Sequence, residues 1–171
     1  MTKLYKPTIY AKNIFEINYS KLKEKNIKYL LFDIDNTIAD NSEKDPSPEI
    51  ISLFKTLQKQ GFKLVIITNS LPHRALRFAK KLNVKAYYLS FKPLSYNYRR
   101  IFRKIKVSPN KIAAIGDQIL TDIKGANKHN ITSILVDKIS SNESFITKLN
   151  RYKENRLINK YHIIKRGEYY E

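Results

Sequence analysis

Short apolar runs of strand length alternate with helical segments along most of this chain. The first run covers residues 29–32, the next covers residues 62–68, and a segment from Ser47 to Gly61 lies between them. Pro48 after a Ser47 N-cap favours a helix start, and Gly61 favours its end. Strands that alternate with helices predict right-handed βαβ units and a parallel sheet.

The remaining segments continue the alternation. We expect a helix at 72–82, a strand at 86–89, a helix at 95–105, a strand at 111–115, a helix at 119–129 and a strand at 131–136. Residues 1–27 are expected to form a leading segment packed on a core at about 28–138. Residues 142–171 form a basic, aromatic tail, for which we expect a helix with an unstructured end. The prediction is a single α/β domain over residues 1–171.

Composition narrows the class of protein. The chain has 171 residues, of which 42% are hydrophobic, enough for a folded core. It contains no cysteine, which excludes disulfides, thiolate metal sites and thiol catalysis. The amino-terminal residues form no apolar signal segment, and no run approaches 18 apolar residues. We therefore expect an intracellular, soluble, cytoplasmic protein.

The formal net charge is +18, which has two interpretations. One is binding to a polyanion, either nucleic acid or the surface of an anionic membrane. The other is compositional drift, because lysine outnumbers arginine and the chain is rich in isoleucine and asparagine. Both interpretations stay open at this point.

Two carboxylates follow the first apolar run. In the sequence L-L-F-D-I-D-N-T they are Asp33 and Asp35, and an extended segment would place both on one side of the chain. Neighbouring acids raise each other's pKa, which is costly unless a cation or a reaction needs them. Asn36 and Thr37 suit a turn that leaves the strand. Open α/β sheets bind ligands at such strand ends.

Three more features occur at successive strand ends. Thr68 carries a hydroxyl that can bind a phosphoryl oxygen, next to the amino terminus of the following helix. Lys92 is a cation suited to neutralising an anionic intermediate. Gly116 permits a tight turn, after which Asp117 and Asp122 return two carboxylates toward the same edge.

Hard oxygen ligands without nearby histidine or cysteine favour Mg²⁺. The reaction that this combination predicts is phosphoryl transfer. A carboxylate attacks phosphorus, the metal and the lysine stabilise negative charge, and a second carboxylate handles the proton.

The motifs D-x-D-N-T, T-N-S, K-P and G-D-Q-x-x-T-D-x-x-G-A-N resemble those of the haloacid dehalogenase (HAD) superfamily. They are most similar to the YqeG family of class IIIA phosphatases. The resemblance covers roughly residues 28–138, with one mild departure, Ala126 where a second glycine is common. It implies a HAD-like Rossmannoid three-layer sandwich with a central parallel sheet.

The resemblance also implies roles for the motif residues. Asp33 would be the nucleophile that forms an aspartyl-phosphate, and Asp35 would be the general acid/base. Thr68 would bind the phosphoryl group, and Lys92 would stabilise its charge.

The metal site and the substrate contacts complete these expectations. Asp117 would bind Mg²⁺ together with Asp33 and the backbone carbonyl of Asp35, while Asp122 would orient Lys92 or the metal's water molecules. Four further polar residues are candidates for substrate binding: Asn36, Thr37, Asn69 and Arg74. The two asparagines also suit a role in shaping the loops, and the arginine suits an exposed basic helix face.

The spacing of the motifs excludes a cap domain, the lid that covers many HAD sites. Residues 35–68 and 68–92 each leave room for one helix and one strand. An open site favours a large or surface-bound substrate. The resemblance implies dephosphorylation of phosphatidylglycerophosphate to phosphatidylglycerol. With that substrate, the basic surface would dock the protein on the inner face of the membrane. A phosphatase for nucleic-acid ends and a non-catalytic RNA- or ribosome-associated protein are the alternatives.

Overall fold

A computed structural model of the chain describes residues 2–94, 96–141 and 143–171 and contains a six-stranded sheet. The strands in chain order are β1 (Ile9–Ala11), β2 (Tyr29–Phe32), β3 (Lys63–Ile67), β4 (Lys85–Tyr87), β5 (Ile112–Gly116) and β6 (Thr132–Val136). Neighbouring strands all pair in parallel, in the order β1-β6-β5-β2-β3-β4. The order reverses between β2 and β5, which is the position where open α/β sheets form ligand sites.

Six α-helices are present among the described residues. They are α1 (Tyr19–Glu24), α2 (Pro48–Lys59), α3 (Pro72–Leu82), α4 (Tyr96–Ile105), α5 (Lys124–Lys128) and α6 (Phe145–Tyr161). A π-helical segment at Ile119–Ile123 leads into α5. The predicted alternation of strands and helices is therefore confirmed.

Helix α2 begins and ends at the residues that the sequence predicted. The Ser47 hydroxyl accepts a hydrogen bond from the Ile50 backbone N–H at 3.4 Å, and Pro48 is the first helical residue. Gly61 follows the helix with a φ of 94°, a conformation that favours glycine.

Other boundaries differ from the predictions or fall on residues that are not described. The predicted helix start at Ser95 and tail start at Asn142 lie outside the described residues. Strand β4 ends at Tyr87 instead of Leu89, because Leu89 has a φ of 45° and cannot continue a strand. The predicted helix at 119–129 is π-helical in its first part.

Helices cover both faces of the sheet. Side chains of α1, α2 and α3 pack on one face against strand residues such as Leu30 and Phe32. Side chains of α4 and α5 pack on the other face against Leu31 and Val65, and α6 packs there beside Leu135. The alternation along β2 places successive side chains in different layers. This arrangement is the predicted three-layer α/β sandwich with a HAD-like fold.

Both ends of the chain meet at one edge of the sheet. The leading segment contributes β1, which pairs with β6. Tyr10 of β1 also exchanges backbone hydrogen bonds with Tyr170, at 2.8 and 2.9 Å. The end of the tail is thus bonded to the sheet rather than unstructured, and it covers an edge that would otherwise be open.

No cap domain interrupts the core. Only α2 and β3 lie between Asp35 and Thr68, and only α3 and β4 lie between Thr68 and Lys92. Within the described part of the chain, no helix has both the length and the hydropathy that crossing a membrane requires.

Candidate active site

Three adjacent strands deliver one polar side chain each to the same edge of the sheet. Asp33 follows β2, Thr68 follows β3 and Asp117 follows β5. The Asp33 backbone N–H donates to the carbonyl of Ile115 at 3.0 Å, which continues the pairing of β2 with β5 one residue past the strand. The strand ends therefore bring the predicted motifs together as the parallel topology requires.

Lys92 lies between two carboxylates below the pocket floor. Its ammonium is 2.9 Å from Asp33 Oδ1 and 2.5 Å from Asp122 Oδ1, and it donates to the carbonyl of Ile67 at 3.0 Å. The Asn69 side-chain oxygen accepts a hydrogen bond from the Lys92 backbone N–H at 2.8 Å, which fixes the loop. We call Asp33, Lys92 and Asp122 the lysine cluster.

The electrostatics of the lysine cluster follow from its burial. Burial raises the pKa of Asp33 to about 6, with Asp122 and Asp35 adding to the effect and Lys92 opposing it. Burial alone would lower the pKa of Lys92, but the charges of Asp122 and Asp33 outweigh it and raise that pKa. The lysine stays protonated at any physiological pH and faces the carboxylate that is predicted to be the nucleophile.

The Gly116–Asp122 turn is packed so tightly that it requires its glycine. A Cβ at Gly116 would lie 2.3 Å from Asp122 Cγ. The Asp122 side chain folds back over the turn, where Oδ2 accepts from the Gln118 backbone N–H at 3.1 Å and from the Thr121 hydroxyl at 3.3 Å. The π-helical segment that begins at Ile119 carries this acid toward Lys92.

Asp35 has partners different from those of Asp33. Ser70 donates its hydroxyl proton to Asp35 Oδ2, and Arg74 Nε donates to Oδ1 at 2.8 Å. Arg74 also donates to the backbone carbonyls of Asp40, at 2.8 Å, and of Glu43. Arg74 thus joins the loop after β2 to the start of α3, and its predicted contact with substrate stays a prediction.

Thr68 is fully buried at the end of β3, where its Oγ1 lies 2.9 Å from Ser70 Oγ and accepts from the Ser70 backbone N–H at 3.1 Å. Ser70 was not among the predicted site residues. Its position two residues after a strand-end hydroxyl was the signal available in the sequence. Ser70 links the predicted phosphoryl-binding hydroxyl to Asp35.

The two polar residues after Asp35 bind protein groups in this structure. Asn36 adopts a φ of 59°, which asparagine tolerates; its Oδ1 accepts from the Ser140 backbone N–H at 3.1 Å and its Nδ2 donates to Glu143 at 3.4 Å. The Thr37 hydroxyl donates to Asp117 Oδ1 at 3.4 Å. Their predicted substrate contacts, and that of Asn69, stay predictions.

A second cluster comes from the tail, which the sequence analysis did not include in the site. Arg151 of α6 forms an ion pair with Asp117 and donates to the Asp117 backbone carbonyl at 2.6 Å. It also donates to Glu143 at 2.9 Å and to Glu154 at 3.2 Å. We call these four residues the arginine cluster. Burial raises the pKa of Asp117 to about 8, with Arg151 opposing it and Asp122 and Asp33 adding to it.

Carboxylate oxygens at the centre of the site fit a divalent cation. One oxygen each from Asp33, Asp117 and Asp122 lies within 4.8 Å of the others. Asp33 is buried, and its Oδ1 pairs with the Lys92 ammonium at 2.9 Å. Each of the three carboxylates also has protein partners: Lys92 pairs with Asp33 and Asp122, while Arg151 and Thr37 bind Asp117.

The site opens into a pocket of about 610 Å³. Asp33, Asp35 and Thr68 line its floor, while Leu71 at the start of α3 and Ile146 of α6 are among the residues on its wall. This size is typical of a pocket for a small molecule or a headgroup.

The sequence as a whole matches one family. Residues 6–130 match the model for hydrolases of the haloacid dehalogenase-like type. The chain belongs to the haloacid dehalogenase-like hydrolases. It is also 33% identical, over 158 residues that make up 92% of both chains, to a Bacillus subtilis protein named "Probable phosphatase YqeG". The resemblance that the motifs indicated is confirmed, and the family supports phosphatase activity.

Solved structures of HAD phosphatases share the fold. The D,D-heptose 1,7-bisphosphate phosphatase from B. bronchiseptica, complexed with magnesium and phosphate, is 21% identical, with a TM-score of 0.50 over 64% of this chain and 80% of that one. A HAD phosphatase from Thermococcus onnurineus is 15% identical, with a TM-score of 0.54 over 74% of this chain and 98% of that one. At these identities the likeness establishes the fold alone.

Proposed function

We propose that this HAD phosphatase is Mg²⁺-dependent, acts through an aspartyl-phosphate and removes the terminal phosphate of phosphatidylglycerophosphate. The observation that carries the chemistry is the buried Asp33 carboxylate at the floor of an open pocket, with the Lys92 ammonium 2.9 Å from its Oδ1.

In the first half-reaction, an Asp33 carboxylate oxygen attacks the phosphorus of the monoester. The bond from phosphorus to the ester oxygen breaks, and the leaving alkoxide takes a proton from the Asp35 carboxyl group. Ser70 and Arg74 hold that carboxyl group at the pocket wall. The products of this step are the free alcohol and a phosphorylated Asp33.

In the second half-reaction, the Asp35 carboxylate takes a proton from a water molecule, which attacks the phosphorus of the aspartyl-phosphate. The bond between phosphorus and the Asp33 oxygen breaks, and inorganic phosphate leaves. Lys92 stabilises negative charge throughout, and the Thr68 hydroxyl faces the phosphoryl oxygens. Asp33, Asp117 and the Asp35 backbone carbonyl would hold a divalent cation, which would supply charge neutralisation for the phosphoryl group.

The lipid substrate is supported by the open architecture and by charge. Without a cap, only the pocket walls enclose a substrate, which suits a headgroup that remains anchored in a bilayer. The net charge of +18 favours an anionic surface around that headgroup. The pocket volume of about 610 Å³ admits a glycerophosphate headgroup without the acyl chains.

Phosphate release from three substrates tests the proposal. Purified protein with MgCl₂ is incubated with phosphatidylglycerophosphate in mixed micelles, a 3′-phosphorylated oligonucleotide and an aryl phosphate. We expect kcat/KM to be highest for the lipid and turnover to stop with EDTA. A preference for the oligonucleotide would replace the lipid by nucleic-acid ends. No phosphate release from any of the three substrates, with the cation bound, would leave only the non-catalytic alternative.

A further inference from the structure

The first half of helix α6 turns two charged side chains inward and several apolar side chains outward, whereas Leu157 and Ile158 in its second half pack on the core. Arg151 and Glu154 are buried against the core. Phe145, Leu149 and Tyr152 share the opposite face, and Phe145 is 82% exposed. A helix on the surface of a soluble domain normally shows the reverse pattern, with its apolar stripe on the core.

Segments that contribute to the site also expose apolar side chains. Ile146, which is 72% exposed, and Leu71 both line the pocket. The loop that carries Lys92 points its ammonium inward but exposes the neighbouring Phe91 and Leu94. We call this set the apolar rim: Leu71, Phe91, Leu94, Phe145, Ile146 and Leu149. Grouped exposed apolar side chains around a site mark a surface that is covered in use.

The exposed charges of α6 are all positive. The helix contains five basic residues and one acid, Glu154, and that acid is buried beside Arg151. The four exposed cations are Lys148, Lys153, Arg156 and Lys160. Cations and exposed apolar side chains therefore share the outer surface of α6, and both can bind an anionic membrane surface.

Other occupants fit this surface less well. The centre of a protein–protein interface is depleted in lysine, whereas Lys148 lies among the apolar side chains of this face. Single-stranded nucleic acid stacks its bases on aromatic rings, but only Phe91 and Phe145 of the six apolar-rim side chains are aromatic, and the other four are aliphatic. An anionic bilayer satisfies both the apolar and the basic components.

We propose that the apolar rim and the cations of α6 seat the protein on an anionic lipid bilayer, with the pocket mouth facing the headgroups. The inference rests on the proposed function in that a phosphate presented by a lipid would then reach Asp33 without leaving the membrane. The rim side chains enter the headgroup region, and the flanking lysines and arginines meet anionic lipids. Docking needs no turnover, so it is tested separately.

Vesicle cosedimentation of the full chain tests the docking surface. Vesicles of phosphatidylcholine alone are compared with vesicles that contain phosphatidylglycerol, across a salt series. We expect binding to the anionic vesicles, weakened by salt. The variant Phe145→Ser/Leu149→Ser should need about tenfold more lipid for half-maximal binding, because two apolar side chains no longer enter the interface. Its circular dichroism and its turnover of an aryl phosphate should match those of the wild type.

The control variant is Leu4→Ser/Phe15→Ser, which changes two exposed apolar side chains that lie in the leading segment. It should bind vesicles like the wild type. Wild-type protein that does not bind anionic vesicles, or a Phe145→Ser/Leu149→Ser variant that binds them fully, would overturn the docking surface. A single-stranded RNA of 20 nucleotides serves as a second probe. RNA binding that the same variant loses, without vesicle binding, would assign the face to nucleic acid instead.

Vesicle binding and hydrolysis in micelles together test the proposed docking surface and the proposed substrate independently. Vesicle binding without hydrolysis of phosphatidylglycerophosphate in micelles would refute the substrate and leave the docking surface standing. Hydrolysis in micelles without vesicle binding would refute the docking surface and leave the substrate standing.

Discussion

The lysine cluster and the arginine cluster adjoin each other at the same site but differ in origin. Lys92 lies between Asp33 and Asp122, and all three residues belong to motifs that follow strands of the core. Arg151 comes from α6, and it binds Asp117 together with two glutamates of its own end of the chain. One cluster follows from local sequence and topology, whereas the other depends on how the tail folds back.

The difference assigns the clusters to different tasks. The lysine cluster contains the Asp33 carboxylate, which lines the open pocket and is therefore placed to meet a substrate. In the arginine cluster every guanidinium nitrogen donates to a protein oxygen, which anchors α6 to the Gly116–Asp122 turn. We expect the loss of Lys92 to reduce activity far more than the loss of Arg151 does.

The largest effect is expected from Asp33→Asn, which removes the nucleophile. Turnover of an aryl phosphate should fall by about 10³-fold or more, because no covalent intermediate can form. The free energy of unfolding should not fall, because burying a neutral amide costs less desolvation free energy than burying a charged carboxylate. Asp45→Asn, on an acid that pairs with Arg77 at the surface, is the control and should keep its activity. Substantial turnover by Asp33→Asn would refute the nucleophile.

The next largest effect is expected from Lys92→Met. The buried carboxylates of Asp33 and Asp122 would lose their cation, and kcat should fall by about 10²- to 10³-fold because the transition-state charge is no longer stabilised. Lys63→Met, at the opposite end of β3, removes an exposed lysine and should leave kcat unchanged. If both variants kept their activity, the lysine cluster would have no part in the chemistry.

Arg151→Met should cost much less activity than Lys92→Met, although it too removes a buried ion-pair partner. Three acids would lose a buried partner, and the free energy of unfolding should fall by about 3 kcal/mol, as for other broken buried ion pairs. The loss in kcat should be only about tenfold, because the Asp33 and Lys92 pair is intact. Urea unfolding and aryl phosphate turnover measure the two losses, with Arg156→Met as the exposed control on the same helix. A kcat loss as large as that of Lys92→Met would erase the distinction between the clusters.

Local sequence patterns predicted the core and the motif residues for physical reasons. Helix α2 was visible from Ser47, Pro48 and Gly61, because caps and helix ends depend on neighbouring residues. Asp33 and Asp117 were visible because parallel strands end at one edge of the sheet.

Long-range contacts were not predictable in this way. The three-residue strand β1 is too short to show a period, and it is defined by its pairing with β6. Hydrophobic periodicity along α6 would place Phe145 and Leu149 on the core, yet Arg151 takes that position because Asp117 and Glu143 are there to bind it. The spacing of Arg151 and Glu154 at i, i+3 was the one local sequence pattern that indicated part of the arginine cluster.

The smallest effect is expected on the affinity for Mg²⁺, which should depend on pH over a different range for the Asp33 carboxyl group than for the Asp117 carboxyl group. Burial raises the pKa of Asp33 to about 6 and that of Asp117 to about 8, and each acid must lose its proton before it can bind a cation. Affinity for Mg²⁺ should therefore fall as the pH falls, by at most about tenfold per pH unit for each acid that becomes protonated. Calorimetric titration with MgCl₂ at several pH values, in buffers of different ionisation enthalpy, measures both the affinity and the protons released.

Two variants show which part of the pH dependence of Mg²⁺ binding comes from Asp33 and which comes from Asp117. Asp33→Asn should remove the part of the pH dependence near pH 6. Arg151→Met should move the other part to higher pH, because Arg151 opposes the rise in the pKa of Asp117 and its loss favours the protonated acid. An affinity for Mg²⁺ that is the same from pH 5 to pH 9 in the wild type would mean that neither carboxylate binds the cation. In that case the two clusters would both be structural ion pairs, and the reactive centre would have to lie around Asp35.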